Sequence, residues 1–178
     1  MISCYKNTGS VAHYPSTNRN NASKIEKMML SFAKPTGEKG DSGRGNKIDY
    51  ANAIVVGMGY HDLCALKLWI VAALKVTDPS TKPLASIMFH RDMGTAGKKT
   101  MNLSLGNVDK NGIMTYGISV SMTKGDEKTS IPVFLSVPEL YGLGLYADKV
   151  IEKILEGEMV VRPNHSVDDS DVSIESGE

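Results

Sequence analysis

The sequence predicts an α+β protein built from two similar units, each with antiparallel strands followed by one helix. Three observations lead to this prediction. Short runs of alternating apolar and polar residues lie between turn residues, two longer segments have the apolar spacing of helices, and those two segments resemble each other. The chain has 178 residues, 41% of them hydrophobic and 22% charged, which is typical of a globular protein with a sizeable core.

The strands of the second unit have the clearer pattern. Alternating or continuous apolar runs cover residues 84–89, 100–108, 113–122 and 130–135. The dipeptide Asn111-Gly112 separates the middle two runs and is typical of a tight β-hairpin. We therefore expect neighbouring strands of this unit to pair antiparallel.

The helix that ends the second unit has recognisable start and stop signals. Ser136 is a suitable N-cap, Pro138 suits the first turn, and Glu139 favours the positive end of the helix dipole. The helix should run to about Glu156 and stop at Gly157, because glycine often follows a helix C-terminus.

The first unit follows the same order with weaker signals. Residues 5–14, 25–33 and 49–56 are the strand candidates, and residues 60–75 form a helix that ends before Pro79. We expect one domain over residues 1–162, made of two repeats over about residues 1–76 and 84–157.

The two helix segments align at a spacing of 77 residues. Residues 61–69 placed over residues 138–146 match an acid, three leucines and a final aromatic residue. Each segment follows a short β run, so the match favours a duplicated strand–helix unit. A chance similarity between two leucine-rich helices is the alternative. We expect four side chains of these helices to join the core or a subunit interface: Leu66, Trp69, Leu143 and Tyr146.

Composition and motifs disfavour several classes of protein. Uninterrupted apolar runs are too short to span a membrane, and the first residues do not resemble an export or import leader. Cys4 and Cys64 have no zinc-binding spacing, and the four histidines are dispersed. The Gly-rich stretch 94–100 lacks the phosphate-loop spacing. We therefore expect a cytoplasmic protein, of a bacterium or of a virus-infected host cell, with no catalysis, metal or cofactor.

The zero net charge conceals an asymmetry. The last fifteen residues hold five of the 20 acidic residues and no Lys or Arg, so they carry −5 and the preceding 163 residues carry +5. We expect residues 163–178 to be a disordered acidic tail. Such a tail can compete with a polyanion for a basic surface. The alternative is a solvated end that only aids solubility.

The order of segments over residues 5–156 resembles the Whirly proteins, a family of single-stranded DNA binders similar to trypanosome mitochondrial RNA-binding proteins. Residues 29–33 (MLSFA) resemble the family's strand ending in Phe-Ala-Pro, and residues 89–92 (FHRD) resemble its Phe-His-Asp-Pro. Residues 131–133 (IPV) match its Ile-Pro-Val. Tyr5-Lys6 with residues 9–12 resembles its Lys-Gly-Lys-Ala-Ala-Leu segment, although the second lysine is missing.

The resemblance implies a specific architecture and function. Each unit would be a four-stranded antiparallel sheet followed by a helix, and four chains would assemble around a helical core. The implied function is sequence-independent binding of single-stranded DNA, or of RNA, in replication, recombination or repair. The acidic tail would regulate binding or recruit replication or recombination proteins.

Single-strand binding requires positive charge for phosphates and flat or apolar side chains for bases. Phe32 and Phe89 lie among apolar residues, which favours a core position for both, and Tyr116 could occupy either position. Lysines 98 and 99 could also be ordinary solvated loop charges. The candidates for nucleic-acid binding are Tyr5, Lys6, Tyr14, Arg19, Lys24, Lys34, Arg44, Lys47, Arg91, Lys98, Lys99, Tyr116 and Lys124.

Two rival functions remain open. A protein–protein or inhibitory module would pair its sheet edges with a partner and would not bind nucleic acid. A regulator of specific duplex sites is less favoured, because the helix over residues 60–75 contains only Lys67 and Lys75 as basic residues.

Overall fold

The computed structural model describes residues 2–6, 9–18, 20–39, 46–76, 87–92, 97–108 and 111–161. In the first unit, strands β1 (Ile2–Lys6), β2 (Gly9–Asn18), β3 (Asn21–Lys39) and β4 (Asn46–Met58) precede helix α1 (Tyr60–Leu74). In the second unit, strands β5 (Ile87–Asp92), β6 (Lys98–Val108), β7 (Met114–Lys124) and β8 (Glu127–Leu135) precede helix α2 (Val137–Val161). The predicted α+β class, with antiparallel sheets each followed by a helix, is confirmed.

Each sheet is a meander in which sequential strands are neighbours. The strand orders are β1-β2-β3-β4 and β5-β6-β7-β8, and all pairs are antiparallel. Glycines form two of the turns of the second sheet: Gly112 has φ +77° between β6 and β7, and Gly125 has φ +58° between β7 and β8. Both values lie in the left-handed region, which glycine adopts without steric cost.

The helices begin at equivalent points of the two units. Helix α1 starts at Tyr60 and α2 at Val137, which reproduces the spacing of 77 residues. At α1 the Gly59 N–H donates to Asp62 Oδ2 (3.2 Å), and at α2 the Ser136 N–H donates to Glu139 Oε2 (2.8 Å). Each acid thus reaches back to the residue before its helix, as in a capping box. The two units therefore share the order of sheet and helix and the capping contact of the helix.

One continuous core lies between the inner faces of the two sheets and the two helices. Apolar side chains at alternate positions of β3, β4, β6, β7 and β8 are buried, as the period of a strand with one buried face requires. Leu66, Trp69 and Leu143 are buried and Tyr146 is half-buried against the core. Helix α2 packs on helix α1 and, among the strands, mainly on β3, so both of its main partners belong to the other unit. The two units therefore share one core.

Several predicted boundaries were wrong. The single strand expected over residues 5–14 is divided between β1 and β2, and residues 84–86 of another expected strand lie outside the described residues. Helix α2 continues through Gly157 to Val161. A Cβ atom at Gly157 would lie 3.2 Å from Lys24 Cγ. This glycine therefore allows a close approach between α2 and β3 instead of ending the helix.

No helix in the described part of the chain is long and apolar enough to cross a membrane.

Candidate nucleic-acid interface

An open cleft lies where the inner faces of the two sheets separate at one end of the molecule. Its volume is about 490 Å³. Ile54, Met122 and Ile131 provide an apolar floor, and the polar side chains of the rim come from both sheets. The lining residues are Lys34, Asp49, Asn52, Ala53 and Ile54 of β3 and β4, and Met122, Thr129 and Ile131 of β7 and β8.

The cleft owes its shape to an irregularity between β3 and β4. Phe32 pairs with Ile54, but Lys34 pairs with Asp49, so four residues of β4 lie opposite the single residue Ala33. Bulges of this kind bend a strand and redirect its side chains. Beyond the bulge, the two strands continue as a two-stranded ribbon that reaches Lys39 and Asn46.

Asp49 and Asn52 stabilise the bulge by pairing with each other. The Asn52 backbone N–H donates to Asp49 Oδ1 (3.2 Å), and Asn52 Nδ2 donates to Asp49 Oδ2 (2.8 Å). Short polar side chains are well suited to such local turns because they hydrogen-bond to the backbone nearby. Both side chains are consequently held at the rim of the cleft.

Lysines from β6 and β7 adjoin the cleft on the second sheet. Lys99 pairs with Met122, which lines the cleft, and Lys99 Nζ crosses to the first sheet to donate to the Val55 carbonyl (3.0 Å). Lys98 and Lys124 are exposed at the same end of the two strands. These three sequence candidates are thus brought together, and each adds positive charge beside the cleft.

Gly97 determines where the paired lysines of β6 begin. Its φ is +97°, and a Cβ atom there would lie only 2.3 Å from the Thr123 carbonyl oxygen. A larger residue would therefore push the start of β6 away from β7. Because Gly97 can approach this closely, Lys98 and Lys99 are placed directly next to β7.

The ribbon supplies two further candidates, Lys34 and Lys47. Lys34 is exposed at the rim of the cleft. Lys47 is exposed and lies 3.9 Å from Glu38 across the ribbon. An exposed pair of this kind contributes little to stability, so Lys47 can reorient toward a phosphate at small cost.

Lys24 and Tyr14 are not brought to the cleft. Lys24 is half-buried against Gly157 of α2, and ten residues of β3 separate it from Lys34, a distance of about 33 Å. Tyr14 pairs with Met29, and its neighbour His13 points into the core, so Tyr14 lies on the outer face of the first sheet.

Tyr116 is a correction to the sequence candidates. Its side chain is 2% exposed and packs in the core on the same face as Ile118 and Val120. Burial also raises the pKa of its phenol above the ordinary value. The ring is therefore unavailable for stacking on a base, whereas the core positions expected for Phe32 and Phe89 are confirmed.

The remaining candidates are described only in part or not at all. Arg19 and Arg44 lie outside the described residues. Tyr5 and Lys6 lie on β1, and Arg91 lies on β5, where its backbone pairs with Lys99. Arg91 is therefore on the strand next to the cleft lysines.

Sequence reasoning missed several residues of the cleft. Asp49, Asn52 and Thr129 reach the rim only because of the β3–β4 bulge and the inter-sheet geometry. Lys128 is exposed and pairs with Thr123, beside Lys124. Its position in the same β7–β8 hairpin as Lys124 was the one signal that could have identified it. Asp126 and Glu127 of that hairpin offset part of this positive charge.

A second notable surface lies on the outer side of the paired helices. Leu68, Val71, Tyr141 and Leu145 are between 45% and 72% exposed. Val71, Tyr141 and Leu145 border a shallow apolar groove between α1 and α2, where a Cβ atom at Gly144 would lie 3.2 Å from Ile70. Exposed apolar patches of this kind are typical of protein–protein contacts.

A metal centre would be another kind of functional site. Within the part of the chain that the structure describes, no three His, Cys, Asp or Glu side chains are grouped as metal ligands.

These features define a protein of two strand–helix units with an open, lysine-bordered cleft between its sheets. Known structures share this architecture. That of the plant transcriptional regulator PBF-2 matches with a TM-score of 0.63 and 16% identity, over 91% of this chain and 95% of that one. WHY3 from Arabidopsis thaliana matches with a TM-score of 0.59 and 17% identity, over 89% and 90% of the two chains.

WHY1 from Arabidopsis thaliana also matches, with a TM-score of 0.59 and 14% identity over 92% of this chain and 94% of that one. These neighbours are Whirly proteins. The chain therefore has the Whirly fold, as its sequence resemblance predicted. No protein-family model matches the sequence, and no curated protein matches it.

Proposed function

We propose that this protein binds single-stranded DNA, or RNA, and serves replication, recombination or repair without catalysing a reaction. The observation that carries the proposal is the cleft, which has an apolar floor, Lys34 at its rim and the lysines of the second sheet beside it. A single strand offers the two matching features, unstacked bases and a phosphate chain.

The chemistry of the cleft favours a single strand over a duplex. Met122, the partly exposed residue of the apolar floor, can contact base faces, which are hidden in stacked base pairs. Lys34, Lys98 and Lys124 are exposed around the cleft and can contact phosphates. Because aromatic residues make up only 6% of the chain, binding should depend strongly on these charges and weaken steeply as salt increases.

We further propose that four chains assemble through the outer face of α1 and α2. The support is the exposed apolar set Leu68, Val71, Tyr141 and Leu145, which would leave water on assembly. A solution mass of one chain at micromolar concentration, measured by light scattering, would rule out the assembly.

The acidic tail over residues 163–178 is proposed to compete with DNA for the basic surface and to recruit replication or recombination proteins. The charge of −5 in the last fifteen residues supports this role. A cytoplasmic location in a bacterium or an infected host cell remains part of the proposal.

The test is fluorescence anisotropy of a labelled oligothymidylate titrated with the protein at several salt concentrations. We expect salt-sensitive binding that duplex of matched length does not displace, and tighter binding at low salt when the chain ends at Pro163. A folded protein that does not bind at low salt, with or without its tail, would contradict the function. The search would then turn to a protein ligand for the sheet edges.

A further inference from the structure

Asp49 is an unexpected residue at the rim of a cleft that binds a polyanion. It lines the same cleft as Lys34 and lies directly opposite it in the β3–β4 ladder. A carboxylate near phosphates weakens binding unless it makes a compensating contact. Asn52 could have held the bulge with an uncharged partner such as serine or asparagine, since these residues also form such turns. The negative charge therefore calls for another explanation.

The geometry of Asp49 leaves it able to accept further hydrogen bonds. Each carboxylate oxygen receives one hydrogen bond from Asn52. An ionised carboxylate has about four acceptor positions, so about two remain. The side chain is also held in place before any ligand arrives, which reduces the entropy lost on binding.

The surroundings of Asp49 offer groups that suit a nucleobase. Met122 lines the cleft and is partly exposed, so it offers an apolar contact to the face of a ring. Thr129 can donate or accept a hydrogen bond at its edge, and Lys34 is placed to contact a neighbouring phosphate. The carboxylate would then meet the hydrogen-bonding edge of the base.

We propose that the cleft contains a subsite that prefers guanine, with Asp49 as the residue that determines this preference. Guanine carries two neighbouring donors, N1–H and the N2 amino group, which match the two oxygens of a carboxylate. Adenine and cytosine offer an amino group beside an acceptor nitrogen, and thymine offers one N–H between two carbonyl oxygens that repel a carboxylate. Recognition of unpaired bases along this edge is common in single-strand binding.

This inference rests on the proposed function and adds one specific position to an otherwise sequence-independent contact. The lysines and the apolar floor bind any strand, and Asp49 favours a strand that can place guanine in the cleft. The competing explanation is that Asp49 only repels phosphate while it holds the bulge. The two explanations predict opposite signs for the same substitution, because Asp49→Asn removes both the repulsion and the paired acceptor.

The experiment compares four oligonucleotides with the full-length protein. One is oligothymidylate, and the other three carry isolated guanine, 7-deazaguanine or hypoxanthine at the same positions. We expect the guanine and 7-deazaguanine strands to bind roughly fivefold more tightly than oligothymidylate, the low end for one bidentate base contact. Hypoxanthine lacks the N2 amino group, so its strand should lose most of that gain.

The protein variants give a second, independent readout. Asp49→Asn should remove the guanine preference and leave oligothymidylate binding equal or slightly tighter. Asp126→Asn makes the same charge change at an exposed turn and should keep the preference. Circular dichroism and thermal unfolding check that both variants fold, and the base analogues test the proposal on the unmodified protein in any case.

The outcomes separate this inference from the proposed function. If no strand binds, the function fails. If oligothymidylate binds but the guanine strand binds no more tightly, the subsite is wrong while the function stands. If Asp49→Asn tightens binding to all four strands equally, the carboxylate only repels phosphate and the proposal is overturned.

Discussion

The hairpins that precede the two helices differ clearly between the two units. Between β7 and β8, Lys124 pairs with Glu127, and only Gly125 and Asp126 form the turn. The pair β3–β4 instead contains the four-residue bulge and extends beyond it as a ribbon. The β7–β8 hairpin of the second sheet therefore ends where the β3–β4 pair of the first sheet continues as the ribbon. The cleft opens at this point.

The two helices and their capping residues, in contrast, are alike in the two units. Leu63 and Leu140 occupy equivalent positions, and both are fully buried. Asp62 and Glu139 make equivalent capping contacts. The comparison shows that the parts that build the shared core are kept alike in both units, while the candidate site arises where the units differ.

The largest expected effect tests the similarity of the two helices. Leu63→Ala and Leu140→Ala should each lower the free energy of unfolding by about 2–5 kcal/mol, since each leaves a cavity in the core. Urea titration followed by circular dichroism measures the change. Leu155→Ala, at an exposed position of α2, is the control and should change the stability far less. A loss confined to one unit would show that the two helices do not share one core.

The next prediction concerns His13, a buried polar residue on β2. His13 is 3% exposed, its ring lies 4.5 Å from that of Tyr146, and neither nitrogen has a hydrogen-bond partner among the described residues. Burial lowers its pKa from 6.5 to about 4. Between these values the unfolded chain binds the proton and the folded chain does not, so stability falls as the pH decreases from 6.5 to 4.

The expected size of the whole effect is about 3 kcal/mol, at roughly 1.4 kcal/mol per pKa unit, and about 2 kcal/mol of it lies between pH 7.5 and pH 5. His13→Leu should remove that part of the pH dependence and stabilise the protein at pH 5 relative to the wild type. Unfolding titrations at pH 5 and pH 7.5 measure the difference between the two proteins. Equal pH dependence in both would show that His13 is not buried in its neutral form.

The smallest expected effect concerns the exposed lysines around the cleft, where the first sheet extends beyond the second. Lys34→Ala, Lys98→Ala and Lys124→Ala should each weaken single-strand binding roughly fivefold at about 0.1 M salt and reduce the salt slope by about 0.7. Anisotropy titrations at several salt concentrations measure both quantities. Lys24→Ala is the matched control, because Lys24 lies at the far end of β3. Equal losses for Lys24 and the cleft lysines would place the binding surface elsewhere.

Much of the fold could be predicted from local patterns. The hairpin at Asn111-Gly112 and the cap at Ser136 depend on contacts between residues close in sequence. The repeat of 77 residues is the recurrence of one such local pattern. Such signals are readable because strand alternation, turn conformation and capping depend on near neighbours. Gly157 shows the limit of this reasoning, because its role depends on Lys24, which is distant in sequence.

The sequence by itself determined the fold class, the order of its strands and helices, and the asymmetry of charge along the chain. Only the tertiary structure decided which charges share a surface. It grouped Lys34, Lys98, Lys99 and Lys124 around one cleft, excluded Lys24, and buried Tyr116. The physical reason is that a period-two pattern specifies which residues share a face of a strand but not where a bulge shifts the register. No local pattern in the sequence therefore predicted that Asp49 and Asn52 lie at the rim of the cleft.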